Sequence, residues 1–215
     1  MTRKRILHQA RTWVQEQLSG DSSGHDWWHI YRVTELAKRI GQDEGADLFV
    51  CELAALLHDI ADEKLNASAW AGIEKVRNWL GINGVKEEDA AHVLEIIDTM
   101  SYKGGNTKPV RTREAQVVQD ADRLDAIGAM GIARVFAYTG WKGHLMHDPS
   151  QAPRTAMTPE EYRSGKNTAI NHFHEKLLKL KDLMNTGTAR QMAQERHRFM
   201  EAYLEQFYRE WEGSR

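Results

Sequence analysis

Two imidazoles and two carboxylates, His29, His58, Asp59 and Asp122, are the residues whose types and settings best suit chemistry in this chain. His58-Asp59 closes the apolar run Leu53-Ala54-Ala55-Leu56-Leu57, and Asp62 and Glu63 follow within one helical turn. Burying an imidazole and a carboxylate beside such a run is costly unless a charge or a hydrogen bond receives them. A divalent cation would receive both. Each of the four residues sits in a segment apolar on one face, which directs it towards the interior. Two nitrogen and two oxygen donors suit Mn2+, Mg2+, Fe2+ or Ni2+ better than a structural zinc. Two carboxylates leave such a site nearly neutral, and six-coordination leaves room for water and a substrate oxygen. The same residues admit a plainer account. A lone buried histidine is usually a satisfied core residue, and Arg32 or Arg123 offers an ion-pair partner to the acids. Spacing and composition leave both accounts open.

The elements that must position these residues read as helices. Ile6, Ala10, Trp13, Val14 and Leu18 share one face of an opening helix over about 2–18, which Ser19-Gly20-Asp21-Ser22-Ser23-Gly24 ends. His29, Val33, Leu36, Ala37 and Ile40 mark a second from Asp26 to near Gly41, and a third over about 46–61 carries His58-Asp59. Further helices are expected at 69–80 and 87–100. The basic loop Ser101-Tyr102-Lys103-Gly104-Gly105-Asn106-Thr107-Lys108-Pro109 comes next, and then one long helix over about 112–138 carrying Asp120, Asp122 and Asp125. Gly128 and Gly131 within it each cost about 1 kcal/mol against alanine. That cost implies a bend or the close approach of another helix, and close approach is preferred. The stretch 139–158 is expected to be irregular and mobile, and helices over 167–182 and 189–212 close the chain. Phe199, Tyr203, Phe207 and Trp211 make a stripe read as core or subunit contact. No alternating pattern of useful length appears, and the four prolines fall in loops, so the fold class is all-α.

At 215 residues the chain is one domain or at most two small ones, and 41% hydrophobic with 28% charged is the composition of a globular protein. A net charge of −2 gives no footprint for nucleic acid or a membrane surface. One cysteine, Cys51, allows no internal disulfide, and no run approaches the ~18 apolar residues of a membrane-spanning helix. The basic start lacks the apolar core of a secretory signal, so the cytoplasm is the expected compartment and the triplet Asn66-Ala67-Ser68 an idle glycosylation match.

The ordered set His29, His58-Asp59 and Asp122 resembles the signature of the HD superfamily of metal-dependent phosphohydrolases, all-α proteins named for their His-Asp pair. A subgroup of stand-alone bacterial HD hydrolases shares stretches similar to His25-Asp26-Trp27-Trp28-His29-Ile30-Tyr31-Arg32-Val33 and Leu57-His58-Asp59-Ile60-Ala61-Asp62. The likeness continues through Asp120-Ala121-Asp122-Arg123-Leu124-Asp125-Ala126-Ile127-Gly128 and Phe173-His174-Glu175-Lys176-Leu177-Leu178-Lys179-Leu180. The resemblance implies a helical HD bundle, a single HD-type domain over 1–215, with its metal-binding core at about 20–140 and a helical extension at about 159–213. It places the ligands of one divalent ion, Mn2+ first, on His29, His58, Asp59 and Asp122. Asp120 and Asp125 are then ion-pair or supporting acids.

The metal would polarise a phosphoryl oxygen and lower the pKa of a bound water. Asp62 and Glu63 are placed to orient or deprotonate that water, and an acidic pair here also looks like the catalytic acids of related enzymes. Phosphate charge needs cations: His25, Arg32, Lys64, Lys103, Arg123 and Lys176 are the candidates. Trp27, Trp28 and Tyr102 are candidates to stack a base. The implied activity is release of pyrophosphate from nucleoside or deoxynucleoside triphosphates, with a nucleotide as the partner molecule and a homodimer left open. The alternatives are a nucleoside monophosphate phosphatase and a nucleotide sensor without turnover. A di-iron oxygenase of the same fold would need two further histidines between Asp59 and Asp122, where only His92 stands.

Overall fold

The computed structural model describes residues 2–18, 26–62, 65–100, 110–154 and 167–214. His25, Glu63, Lys64, Tyr102 and Lys103 lie outside the described residues. The described chain is all-α, and none of its helices is long and apolar enough to cross a membrane. It divides into two compact units, 1–122 and 123–215.

The first unit is built around α3 (Leu48–Leu57), buried on nearly every side from Phe49 to Leu57. Asp47 caps it by accepting from the Phe49 and Val50 amides at 2.9 and 3.4 Å. Packed against it are α1 (Arg3–Gln17), α2 (Trp27–Glu44) and α5 (Glu87–Met100), each through the apolar stripe its spacing implies. Helix α2 ends on Gly45, whose φ of 69° gives the left-handed cap that glycine adopts without strain. Helix α4 (Ala69–Ile82) packs on the short turn that follows α3. Helix α6 (Arg113–Asp125) buries Ala115, Val117, Val118 and Ala121, and the boundary between the units falls within it.

Two expected helices are broken. The third stops at Leu57, and Asp59–Ala61 forms a 3-10 turn instead of a further α turn. The long helix expected over 112–138 ends at Asp125 and resumes as α7 (Gly128–Trp141). Between them the Ala126 and Ile127 amides reach back only three residues, to the carbonyls of Arg123 and Leu124. Gly128 has φ of +75°, and a Cβ there would lie 2.9 Å from Cγ of Arg196. The preferred reading of close approach therefore holds at Gly128, but at a break between two helices rather than inside a continuous one.

In the second unit, α8 (Ala169–Glu175), a 3-10 segment (Leu177–Leu183) and α9 (Gly187–Trp211) replace the two closing helices of the sequence reading. Phe136 of α7, Phe173 of α8 and Tyr203 and Phe207 of α9 meet ring to ring, with centroids 6.0–6.4 Å apart. Phe199 and Trp211, at the two ends of the expected stripe, are exposed. The irregular stretch after Trp141 is more tethered than its composition implied. The amides of Ala169 and Ile170 donate to the carbonyls of Leu145 and Met146, and Asn171 holds the Gln151 carbonyl at 3.0 Å. Residues 155–158 of that expected segment lie outside the described residues.

His172 in α8 gives this fold an acid limit. Desolvation, with the charge of Lys176 adding to it, pushes its imidazole down to about 4. Desolvation also lowers His174. Between the ordinary histidine pKa near 6.5 and about 4, the unfolded chain binds a proton at residue 172 that the folded chain refuses. Stability therefore falls as pH drops through that window, by about 3 kcal/mol when complete. Urea titrations from pH 7.5 to 4.5 will show this slope, and His172→Leu will flatten it.

Candidate metal centre

Helix α2 brings in His29 by its first turn. Asp26 caps that turn and accepts from the His29 amide itself at 2.8 Å, so the backbone presenting this imidazole is fixed at the cap. His58 stands where α3 gives way to the 3-10 turn, and Asp59 is the first residue of that turn. Asp122 comes from α6, directly after the fully buried Ala121.

These side chains converge. Nε2 of His29 lies 3.5 Å from Asp59 Oδ2 and 3.5 Å from Asp122 Oδ1. Nε2 of His58 lies 3.3 Å from Asp59 Oδ1 and 4.0 Å from Asp122 Oδ1. The two imidazole rings meet edge to face, with centroids 5.4 Å apart. One donor atom from each of His29, His58 and Asp59 lies within 4.8 Å of the others, and this is the only such group among the described residues. The side chains of these three are 3, 6 and 8% exposed, whereas that of Asp122 is 37% exposed. Asp122 thus stands at the rim of the cluster, not in the interior where its apolar neighbours pointed. It lies one residue past Ala121, and consecutive helical positions diverge by about 100°.

The tautomer of His58 decides what this cluster can do. Its Nδ1 is 2.8 Å from the Ala55 carbonyl, an acceptor only, so Nδ1 carries the hydrogen and donates it. In the neutral imidazole Nε2 is then a bare lone pair. It is buried and makes no hydrogen bond, yet faces carboxylate oxygens of Asp59 and Asp122 that are also acceptors. Acceptors gathered in a buried space repel one another unless a cation is shared between them. Two donors each ~2.1 Å from one ion and at right angles to each other are ~3.0 Å apart, with wider angles giving more. The observed separations of 3.3–4.0 Å are of this size. His29, His58 and Asp59 therefore fit a divalent metal ion, with Asp122 Oδ1 at the rim 3.5 and 4.0 Å from the two imidazole nitrogens.

The remaining candidates are placed as follows. Asp62 ends the 3-10 turn, half-buried, with its amide donating to the Asp59 carbonyl at 3.0 Å. Arg32 is half-buried on α2, one turn beyond His29. Trp28 is 61% exposed on the same helix, and it and Trp27 both pack against the Tyr31 ring. Arg123 donates to the Leu183 carbonyl, and Lys176 lies close enough to His172 to lower its pKa, both within the second unit. Asp120 is fully buried, and Asp125 is ion-paired to Arg134 at 2.6 Å. His92, the histidine between Asp59 and Asp122, bonds Thr112 Oγ1 at 2.8 Å. Sequence reasoning missed Asn66, whose side chain clasps the turn that carries Asp59.

The HD domain family profile matches residues 27–127, a span that includes all four residues of the cluster. The Bacillus subtilis protein YpgQ is 45% identical over 207 residues, covering 95% of this chain and 93% of that protein. The crystal structure of YpgQ in complex with ADP has a TM-score of 0.76 at 46% identity, covering 95% of this chain and 97% of its own. A crystal structure from Lactobacillus plantarum has a TM-score of 0.86 at 43% identity, covering 98% of both chains. An HD-superfamily hydrolase from Bacillus thuringiensis has a TM-score of 0.80 at 48% identity, covering 98% of this chain and 99% of its own. With its bare imidazole nitrogen facing two acids, and with likeness to these proteins along nearly its whole length, the chain belongs to the HD superfamily of metal-dependent phosphohydrolases.

Proposed function

We propose that this chain hydrolyses nucleoside or deoxynucleoside triphosphates to a monophosphate and pyrophosphate. The observation that carries the reading is the buried, unbonded Nε2 of His58 facing the oxygens of Asp59 and Asp122. Support for a nucleotide comes from YpgQ, one crystal structure of which is a complex with ADP. His29, His58, Asp59 and Asp122 hold one divalent ion, Mn2+ first among Mg2+, Fe2+ and Ni2+ in this reading. When bound, the ion supplies Lewis acidity towards a phosphoryl oxygen and acidity to a water.

The chain's own residues then do the rest. Asp62, three positions past Asp59 at the end of the 3-10 turn, takes the proton of the attacking water, with Glu63 as its neighbour. Water oxygen bonds to the α-phosphorus, the bond from that phosphorus to the bridging oxygen breaks, and pyrophosphate departs with the electron pair. Arg32, one turn from His29, offsets charge on the phosphates, with His25, Lys64 and Lys103 as further candidates. Trp28 and Trp27 with Tyr31, and Tyr102, offer flat apolar surface to the base.

Incubation with a panel of ribo- and deoxynucleotides and Mn2+, followed by mass identification of products, tests this. Monophosphate and pyrophosphate in equal amounts are expected. Nucleoside and phosphate from monophosphates would replace the reading with a phosphatase, and tight binding without product would replace it with a sensor.

A further inference from the structure

We propose that Asn66 is a positioning residue of the metal centre, its carboxamide holding the 3-10 turn that presents Asp59. The inference rests on the reading of His29, His58 and Asp59 as metal ligands. A three-residue 3-10 turn has little to hold it by itself. Its own bonds are the Asp62 amide to the Asp59 carbonyl at 3.0 Å and the Ala61 amide to the His58 carbonyl at 3.3 Å. The next three carbonyls, those of Ile60, Ala61 and Asp62, have left the α3 ladder; that of Asp62 accepts from the Leu65 amide at 3.1 Å, and those of Ile60 and Ala61 need a partner or room elsewhere.

Asn66 supplies partners for two of them. Its Nδ2 donates to the Ile60 carbonyl at 2.8 Å and to the Asp62 carbonyl at 2.8 Å. One amide group with two hydrogens meets two acceptors, so its donor capacity is fully used. The orientation of the amide is also fixed chemically, since the opposite flip would set Oδ1 against two carbonyl oxygens. The middle carbonyl is accommodated differently. A Cβ on Gly72 of α4 would lie 2.4 Å from the Ala61 oxygen and 2.9 Å from Nδ2 of Asn66. Only a residue without a side chain lets α4 close on the turn here, and α4 indeed packs against it.

The turn so clasped begins with Asp59, whose two oxygens stand 3.5 and 3.3 Å from the imidazole nitrogens of His29 and His58. Rotation of the turn by even ~1 Å at that carboxylate would break a convergence that metal binding requires. Asn66 touches neither imidazole nor any reacting atom in this account. It acts through the backbone of residues 60–62.

The test uses the full chain, stripped of metal, as wild type, Asn66→Ala, Asn66→Asp and Gly72→Ala. Mn2+ affinity is measured by calorimetric titration, and amide hydrogen exchange at Ala61 and Asp62 is followed in the metal-free protein. Asn66→Ala is expected to weaken Mn2+ binding about 10- to 100-fold, the range for residues that orient ligands from outside the coordination sphere. Exchange at Ala61 and Asp62 is expected to speed at least about tenfold, as unlatched local structure does. Asn66→Asp keeps the shape but turns a donor into an acceptor, and is expected to be worse than alanine on both readouts. Gly72→Ala is expected to move both readouts the same way by displacing the Ala61 carbonyl. Wild-type Mn2+ affinity in Asn66→Ala, with its circular dichroism and melting temperature unchanged or merely lowered, would overturn the proposal. Wild type that takes up no Mn2+ would instead overturn the metal reading and this proposal with it, while exchange at Ala61 and Asp62 still reports whether Asn66 holds the turn.

Discussion

Turnover falls by about a thousandfold or more when His58 is replaced by alanine, equivalent to about 4 kcal/mol of lost transition-state stabilisation. The size follows from what the imidazole does: with Nδ1 bonded to the Ala55 carbonyl, the neutral ring offers its unbonded Nε2 to the ion. Loss of activity alone would also follow from unfolding, so the paired variant Asp59→Asn carries the argument. In the metal-free protein its new amide is placed to donate to His58 Nε2, which lies 3.3 Å from Oδ1, and one buried charge disappears. The metal-free fold should therefore gain about 1–2 kcal/mol, the value of satisfying a buried acceptor. The wild type gains stability from metal by mass action, about 2.7 kcal/mol at a hundred times Kd, and Asp59→Asn should gain none. Melting curves with chelator and with Mn2+ measure both. A variant more stable without metal, insensitive to metal and inactive has one physical explanation, a cluster strained for its ion. Equal melting temperatures for wild type and Asp59→Asn in chelator would refute it.

The helices were legible because their buried faces recur at helical spacing, as Ile6, Ala10 and Val14 do in α1 and Val93, Leu94, Ile96, Ile97 and Met100 do in α5. The break after Leu57 was not. Ile60 and Ala61 are as buried as the helix before them, so periodicity continues straight through the change of winding. What enforces the change lies downstream, in Asn66 and Gly72, and a local pattern carries no record of it. The break at Asp125 was half legible. Two glycines signalled a departure, but that Gly128 adopts a positive φ and receives Arg196 is a tertiary fact. The convergence of His29, His58, Asp59 and Asp122 was foreshadowed by buried polar residues in apolar segments. The rim position of Asp122 depends on its rotation about α6, which spacing fixes too loosely to read. Asn66 had no usable signal, since its one motif match concerns glycosylation and its amide hydrogens are both spent within the chain.

Arg154→Met is expected to destabilise the second unit by about 3–5 kcal/mol, the cost of leaving a buried carboxylate without its cation. Glu175 is the carboxylate, its side chain 2% exposed. Oε1 accepts from the Arg154 amide at 2.8 Å and from its Nε at 3.0 Å, and Oε2 accepts from the guanidinium at 2.8 Å and from Asn167. Burial pushes the Glu175 pKa upward, but these bonds and the charge of Arg154 outweigh it and hold the carboxyl below its ordinary 4.5. The two ends of the pair are not equivalent. Arg154 keeps 32% of its side chain exposed and can recover hydration, whereas Glu175 cannot. Glu175→Met should therefore cost less than Arg154→Met, and the double variant should recover part of the larger loss. The pH sign is fixed by the same asymmetry. A carboxyl held low in the fold contributes stability above its unfolded pKa and loses it as pH falls past 4.5. The gap between wild type and Arg154→Met should consequently narrow in acid, because protonation disarms the buried charge in both. Urea midpoints for the four proteins at pH 7 and in acid would decide it, and equal costs for the two single variants would show that Arg154 is as trapped as Glu175.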